Sequence, residues 1–509
     1  MPASPAVHGT VHLVGAGPGD PGLLTVRARD LLAACDCVVH DYLVSPGILS
    51  LIPADAARHY VGKRGHSTSI TQDEINALLV NLASKHRRIV RLKGGDPFLF
   101  GRGGEEAAAL AAAGVPFSVV PGITSGIGAP AYAGIPVTHR ASGSVVAFAA
   151  GHQQAHAEGL DYAALSGIET VVFYMGMHRL EDNCQGLIRH GRSADTPACS
   201  IQWGTHGRQR VVEGTLATLP ERCRAAGLGA PAITVVGDVV RYREHIRWFD
   251  NRSLSGRRVV VTRAREQASD LANQLREAGA EVIELPMARY VAAPSPARDA
   301  ALARLADHTW IAFTSANAVR FTWEHLRATG RDARAFGACR IAAVGPATAA
   351  ALDAIGLNAD LVPDQHDADG LAAALTRIST AHPKPLSVLL PQADNARPTL
   401  REQLEKAGIT VTSTTVYRAE PLPIAPDVLA DGADAVTFAS AATVERFVTG
   451  LGAERIRALT TQGCRFYAIG PFTAAAISAA GLQVAATAPD ASVEALVATL
   501  GSDLGPIAD

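Results

Sequence analysis

A long internal duplication limits what this chain can fold into more than any other feature. Cys339 to Leu375, beginning CRIAAVGPATAAALDAIGL, aligns without a gap on Cys464 to Leu500, beginning CRFYAIGPFTAAAISAAGL, so each position recurs 125 residues later (339 against 464). Ala312 to Ser315 (AFTS) and Thr437 to Ser440 (TFAS) stand at the same spacing, and Arg258 to Gly279 resembles Leu386 to Gly408 in its strand, loop and helix pattern. A period this long marks a duplicated domain, not a solenoid. Each copy alternates strands with helices, which predicts two flavodoxin-like parallel-sheet lobes facing a shared cleft. Gly345-Pro346 with Thr348, and Gly470-Pro471 with Thr473, read as strand-to-helix turns whose amides and hydroxyls can bind acidic groups. Ser315 and Ser440 end strands in the same way. Taken singly each is more often a helix cap than a ligand. Two symmetric sets at one cleft shift the balance toward binding.

The chain has 509 residues, beyond the ~250–300 at which a single core stops growing, so several domains are expected. Its 46 Lys+Arg against 48 Asp+Glu leave a net charge of −2, which argues against nucleic acid held by bulk electrostatics. An anionic ligand would have to be met by local basic residues. Seven scattered cysteines without CxxC pairs look like reduced structural thiols. Met1 to His12 lacks a cationic leader, and no apolar run of ~18 residues escapes Gly, Pro or charge. A cytoplasmic protein with no membrane partner is expected.

The front half is organised around Arg91 to Glu106, RLKGGDPFLFGRGGEE, where five glycines lie among two arginines, a lysine and three acids. Ile89 to Leu92 is strand-like, and Gly94-Gly95 lets the backbone turn sharply and approach a ligand. Asp96 can accept hydrogen bonds from ribose-type hydroxyls or an amine, while Arg91, Lys93 and Arg102 can face carboxylates or phosphates. Upstream, Thr10 to Val14 runs into Gly15-Ala16-Gly17-Pro18-Gly19-Asp20, then a helix that Thr25 caps, then a strand ending in Asp41. This is close to a dinucleotide-binding fingerprint, but Asp20 occupies the third glycine position and Pro18 lacks an amide donor. A dinucleotide-dependent oxidoreductase stays open as an alternative at this point. Further strands end in polar glycine turns at Lys63-Arg64, at Thr124-Ser125 and near His139-Arg140, which puts a site at the carboxyl ends of the strands. From Ser144 the periodicity restarts as a second αβ lobe, in which Met175 and Gly204 directly follow strand-like runs and can line a cleft between lobes. His152 and His156 have the spacing of a metal pair without the glutamate of HExxH, and no resident metal is expected.

Six motifs in order, VGAGPGDPGLLT, VVHDYLVS, VGKRG, RLKGGDPFLFGRGGEE, VVPGITSGIGAPAYAGIPVTHR and FYMG, closely resemble uroporphyrinogen-III C-methyltransferase of the tetrapyrrole methylase group. The resemblance implies S-adenosylmethionine folded between two αβ lobes. It places cofactor contacts at Pro18, Gly94, Gly95, Asp96, Leu99, Thr124, Ser125, Met175 and Gly204, and an acid/base pair at Asp41 and Lys63. The substrate, uroporphyrinogen III, carries eight carboxylates. Arg64, Arg91, Lys93, Arg102, His139 and Arg140 are the local cations expected to meet some of them. A homodimer through the methyltransferase domain is also implied.

The back half resembles uroporphyrinogen-III synthase through VVVTRA, FTSANAV, AAVGPATAAAL, VYRAE and AIGPFTAAAI. That implies cyclisation of hydroxymethylbilane with inversion of ring D through a spiro intermediate, Tyr417 as a candidate proton donor, and Arg263, Ser315, Thr348, Ser440 and Thr473 as carboxylate contacts. The expected layout is a methyltransferase-like domain at 1–243 (lobes about 9–140 and 143–243), a linker at 244–256, and a synthase-like domain at 257–509. In the latter, one lobe joins about 257–290 with 419–509 around another at about 291–418. The expected function is bifunctional, from hydroxymethylbilane to precorrin-2. The alternative is a methyltransferase carrying a non-catalytic tetrapyrrole-binding or sensor module.

Overall fold

The computed structural model describes residues 9–62, 70–152, 159–263, 265–382, 384–425, 428–430 and 432–507. Lys63, Arg64 and His156 lie outside the described residues. The architecture is α/β, and the described residues form four five-stranded sheets, two in each half.

The first sheet contains β1 (Thr10–Gly15), β2 (Cys37–His40), β3 (Ala57–Tyr60), β4 (Arg88–Lys93) and β5 (Phe117–Val120), in the order β3-β2-β4-β1-β5 and parallel throughout. Helices cover both faces, so consecutive strand residues feed two cores: Val11, Leu13 and Ile89 enter one, Val14, Val90 and Leu92 the other. Local chemistry sets the helix starts. Thr25 accepts from Ala28 N at 3.1 Å ahead of Val26–Ala34, and Thr71 with Glu74 forms a capping box ahead of Gln72–Ala83.

The second sheet contains β6 (Val146–Ala150), β7 (Thr170–Tyr174), β8 (Pro197–Gln202), β9 (Arg210–Thr215) and β10 (Ala232–Val236), in the order β6-β7-β10-β8-β9. Only β6 and β7 run parallel; β10 is antiparallel to both neighbours, and β8 and β9 form an antiparallel pair. The ends of β7 and β8 and the start of β10 therefore share one edge of the sheet.

The back half continues with β11 (Arg258–Val261), β12 (Glu281–Glu284), β13 (Ala288–Ala292), β14 (Trp310–Phe313), β15 (Arg340–Ala343), β16 (Ser387–Ala393), β17 (Thr410–Pro421), β18 (Ala435–Phe438), β19 (Arg465–Ala468) and β20 (Val484–Thr487). The third sheet has the order β12-β11-β18-β19-β20 and the fourth β13-β17-β16-β14-β15. All pairings are parallel except β13 with β17, a two-stranded ribbon at the point where the chain crosses between lobes. The ribbon carries residues 288–292 and 417–421 into the fourth sheet.

Residues 244–256 do not behave as a loose tether. Phe249 and Leu254 are buried, and the rings of Trp248 and Phe249 pack on Tyr132 at 5.0 and 4.7 Å. Just before them, Arg243 is buried and pairs with Asp250 at 2.6 Å and Glu213 at 2.9 Å. Within this polar stretch Trp248 and Phe249 pack on the methylase-like half, while Leu254 enters the core of the synthase-like half beside Val259 and Val261.

Candidate active site

The carboxyl ends of β1, β4 and β5 meet at a backbone crossing made of glycine. Gly17 and Gly95 exchange hydrogen bonds (Gly17 N to Gly95 O 3.1 Å, Gly95 N to Gly17 O 2.8 Å), both with left-handed φ. A Cβ on Gly122 would lie 2.3 Å from Gly95 O, so a side chain there cannot be accommodated without moving backbone. Asp96 fixes the turn by accepting from Phe98 N at 2.8 Å and Gly122 N at 3.0 Å. Its carboxylate is thus already committed to the loop, and any ligand hydroxyl must use its remaining lone pairs.

Above this floor is a cavity of about 580 Å³. Its walls include Pro18, Asp41, Gly94, Gly95, Asp96, Leu99, Thr124, Ser125, Met175 and Gly204, which brings together all the cofactor positions expected from the sequence and the strand-end carboxylate. Leu99, Ala129, Ile201 and Ile233 make much of the lining apolar. Thr124 precedes the helix Ser125–Tyr132 and shares a 2.6 Å hydrogen bond with the Tyr174 hydroxyl, which also accepts from Gly126 N at 2.7 Å. Burial pushes the Tyr174 phenol up, so it stays a neutral anchor. Asp41 accepts from Leu43 N at 3.0 Å, and its other oxygen lies 3.9 Å from Arg91 Nη1.

The expected carboxylate-binding cations are placed differently. Arg91 and Lys93 line the cavity but are buried in β4, where Arg91 Nε (3.1 Å) and Lys93 Nζ (2.8 Å) both donate to Glu106, a fully buried residue on the helix Gly103–Ala112. Their charges serve an internal network rather than a substrate. Burial, reinforced by Arg91 and opposed by Glu106, pulls the Lys93 ammonium below its ordinary value. Arg102 lines the cavity with its guanidinium bridged to Glu105 at 2.7 Å. His139 is held by the Tyr242 hydroxyl at 2.6 Å and stacks on its ring, and neither it nor exposed Arg140 lines the cavity.

Sequence reasoning missed Phe100, Tyr174, Trp203, His206 and Glu106. Five non-glycine residues among those described have left-handed φ: Phe100, Arg102, Met175, Trp203 and Thr205. The first four line this cavity, and Thr205 is next to Gly204. His206 packs against Gly19, where a Cβ would sit 2.1 Å from its Nε2. Burial and then Arg208, opposed by Asp20, bring the His206 pKa down to about 4, so the ring is neutral near pH 7.

In the back half, Ser315 caps Ala316–Ala328 by accepting from Ala318 N at 3.1 Å, and its hydroxyl meets Tyr417 Oη at 3.1 Å. Ser440 caps Ala441–Leu451 in the symmetric place. Tyr417 is largely buried, stacked on Phe321 and edge-on to Tyr290, and burial raises its pKa. Arg263 is partly buried near Tyr290, and desolvation lowers its pKa. Thr348 and Thr473 are largely buried in the first turns of their helices, on the same face as Leu352 and Ile477. All seven cysteines are free and buried, no metal-type cluster occurs among the described residues, and no helix of theirs is long and apolar enough to cross a membrane.

Comparison with known proteins agrees with this division. Residues 10–220 match the Tetrapyrrole (Corrin/Porphyrin) Methylases, and residues 269–498 match Uroporphyrinogen-III synthase HemD. Uroporphyrin-III C-methyl transferase from Thermus thermophilus complexed with S-adenyl homocysteine is 38% identical, with a TM-score of 0.40, covering 46% of this chain and 99% of that one. Siroheme synthase from Pseudomonas fluorescens (strain SBW25) is 52% identical over 249 residues, and the match spans 49% of this chain and 54% of that relative. The match thus takes in about half the length of that relative. Porphyrin biosynthesis protein HemD from Ruminiclostridium josui is 35% identical over 463 residues, which are 89% of this chain and 91% of that protein. Because that match runs through both halves, the chain belongs to the porphyrin biosynthesis family in which a tetrapyrrole methylase is joined to a uroporphyrinogen-III synthase.

Proposed function

We propose that residues 257–509 cyclise hydroxymethylbilane to uroporphyrinogen III with ring D inverted, and that residues 1–243 methylate that product twice with S-adenosylmethionine to give precorrin-2. The observation that carries the methylase reading is the 580 Å³ cavity with the Gly94–Asp96 turn as floor and Asp41 in its wall. The cavity suits the cofactor. Its glycine floor admits close backbone approach, its apolar wall suits an adenine and a thioether chain, and Pro18 removes the amide that a pyrophosphate would need. S-adenosylmethionine supplies an electrophilic methyl on sulfur. The chain's own residues hold the two reactants at ~3–3.5 Å in line, which is most of what such a transfer needs. The pyrrole must then lose a proton. Asp41, oriented by Leu43 N and Arg91, is the carboxylate placed to take it.

In the synthase half the two capping serines and the amide-bearing helix starts can grip substrate carboxylates. The Tyr417 hydroxyl, polarised by Ser315, is the group for protonating the leaving hydroxyl. Folding the linear substrate so that the inverted ring closes is chiefly a matter of shape and positioning. The protein acts in the cytoplasm as a homodimer through the methylase half, a state that light scattering would check.

Incubating the full chain with hydroxymethylbilane and methyl-labelled S-adenosylmethionine tests both steps. The expected product is a doubly labelled type III macrocycle. Accumulation of only the uninverted isomer I would reduce the back half to a binding module. Asp41→Asn should bind the cofactor normally and turn over roughly 10²-fold more slowly or worse; wild-type turnover would remove Asp41 from the proton step.

A further inference from the structure

A second cavity, of about 1,120 Å³, opens beside the first. Both are lined by Asp41, Leu43, Trp203 and His206. The far wall of the larger one, however, comes from the other half of the chain: Arg258, Arg276, Glu281 to Glu284, Pro286, Ala288 and Arg289. The halves are in direct contact there. Gly256 N donates to Gly207 O at 2.9 Å, and a Cβ on Gly207 would lie 2.0 Å from Glu281 N. Arg252 Nη1 donates to the carbonyls of Arg276 and Glu277 at 3.1 and 3.2 Å.

Two ligands must meet at Asp41 for methyl transfer. The 580 Å³ cavity is the size of one cofactor-sized molecule, whereas the adjoining one exceeds the ~300–1,000 Å³ of ordinary small-molecule pockets. Its arginines are Arg208, Arg252, Arg258, Arg276 and Arg289, facing the lining carboxylates Asp20, Asp41, Glu281 and Glu284. Arg276 pairs with Glu284 at 2.6 Å, Arg258 with Glu281 at 3.4 Å, and Arg289 with Glu420 at 2.8 Å. All three pairs lie within the synthase half, whereas Arg208 with Glu281, at 3.7 Å, crosses between the halves. Guanidinium groups held against exchangeable carboxylates at a cavity wall are suited to change partner when a ligand brings carboxylates of its own.

We propose that the synthase half completes the methylase's tetrapyrrole site, with Arg276 and Arg289 binding substrate carboxylates across the cleft while the reacting pyrrole reaches Asp41. This rests on the methylase reading above. The test is steady-state methylation of added uroporphyrinogen III by the full chain. Arg276→Glu and Arg289→Glu should each raise the KM for uroporphyrinogen III roughly five-fold, with the KM for S-adenosylmethionine held. Arg289 is 63% exposed, so its variant tests the point even if Arg276→Glu fails to fold. Glu284→Gln frees Arg276 and should lower that KM, a direction that mere disturbance of packing would not produce. Unchanged KM in Arg289→Glu, or a KM raised by Glu284→Gln as much as by Arg276→Glu, overturns the proposal. A wild-type chain that leaves uroporphyrinogen III unmethylated is a separate result, which overturns the methylase reading and this one together.

Discussion

Glu106 is the residue whose removal should expose the logic of the first lobe most directly. Its side chain is fully buried, and one carboxylate oxygen takes both Arg91 Nε and Lys93 Nζ, whose side chains are 4% and 6% exposed. Glu106→Gln keeps the shape but takes away the carboxylate both buried cations touch, leaving Asp41, 3.9 Å from Arg91 Nη1, as the remaining anion beside them. Removing one partner of a buried ion pair costs about 3–5 kcal/mol. Lys93 has a partial escape, because burial already depresses its pKa and losing Glu106 depresses it further. The sign follows from proton counting. Between the lowered folded pKa and the ordinary one, the unfolded chain binds more protons, so stability rises with pH across that window. In the variant the window extends to lower pH, and the deficit relative to wild type should shrink as pH rises through the variant's further-lowered Lys93 pKa toward that of wild type.

Hydrogen exchange of peptides covering residues 88–112 is the suitable assay, since it reports local opening without requiring the four-lobed chain to unfold in one step. A loss of about 3–4 kcal/mol corresponds to roughly 10²–10³-fold less protection, measured against wild type at the same pH. A loss under about 1 kcal/mol, or a deficit that is flat or grows with pH, would mean that Arg91 and Lys93 find solvent or another partner. They would then return to being candidate substrate cations.

Gly122→Ala should cut adenosylhomocysteine affinity more than ten-fold by titration calorimetry and destabilise the lobe by about 1–3 kcal/mol, because its Cβ would meet Gly95 O at 2.3 Å; unaltered affinity would disprove the backbone crossing as cofactor floor. With a folded pKa of about 4 against 6.5 unfolded, His206 should withdraw up to about 3 kcal/mol of stability as pH falls from 6.5 to 4, and His206→Gln should flatten that part of the thermal-midpoint profile. Tyr417→Phe should lower synthase turnover at least ten-fold while costing about 1 kcal/mol for the Ser315 bond; full turnover would leave Tyr417 as packing between Phe321 and Tyr290.

What the sequence revealed were the features with local causes. Glycine turns after short strands, the Thr25 cap and the 125-residue repeat all state their geometry within a few positions. The cations were misjudged for a reason the same stretch contains. Strand alternation puts Arg91 and Lys93 on the face of Ile89, and that face is a core closed by the helix bearing Glu106, Ala107 and Leu110. Helical phase would likewise have placed Thr348 with Leu352 and Thr473 with Ile477, four residues on and facing inward. The antiparallel character of the second sheet had no such signal. The β8–β9 connection runs through Trp203 to Gln209, held by Thr205 N donating to Gln209 Oε1 at 2.9 Å, not through a two-residue glycine turn.

The left-handed residues tie the fold to function by a separate route. On the first lobe's edge of the cavity, Gly17 and Gly95 adopt this conformation, which glycine does at little steric cost, and Phe100 and Arg102 adopt it too. On the second lobe's edge it falls to Met175 and Trp203, directly after β7 and β8, each at a cost of roughly 1–2 kcal/mol that no local preference offsets. Such strain persists where surrounding structure over-determines it, and β10, paired to both strands, supplies that hold. A glycine at either position would relieve the backbone. The side chains present instead border the cavity, with Met175 49% exposed, so the strained positions are those where a ligand-facing side chain and a sharp backbone turn are needed at the same residue.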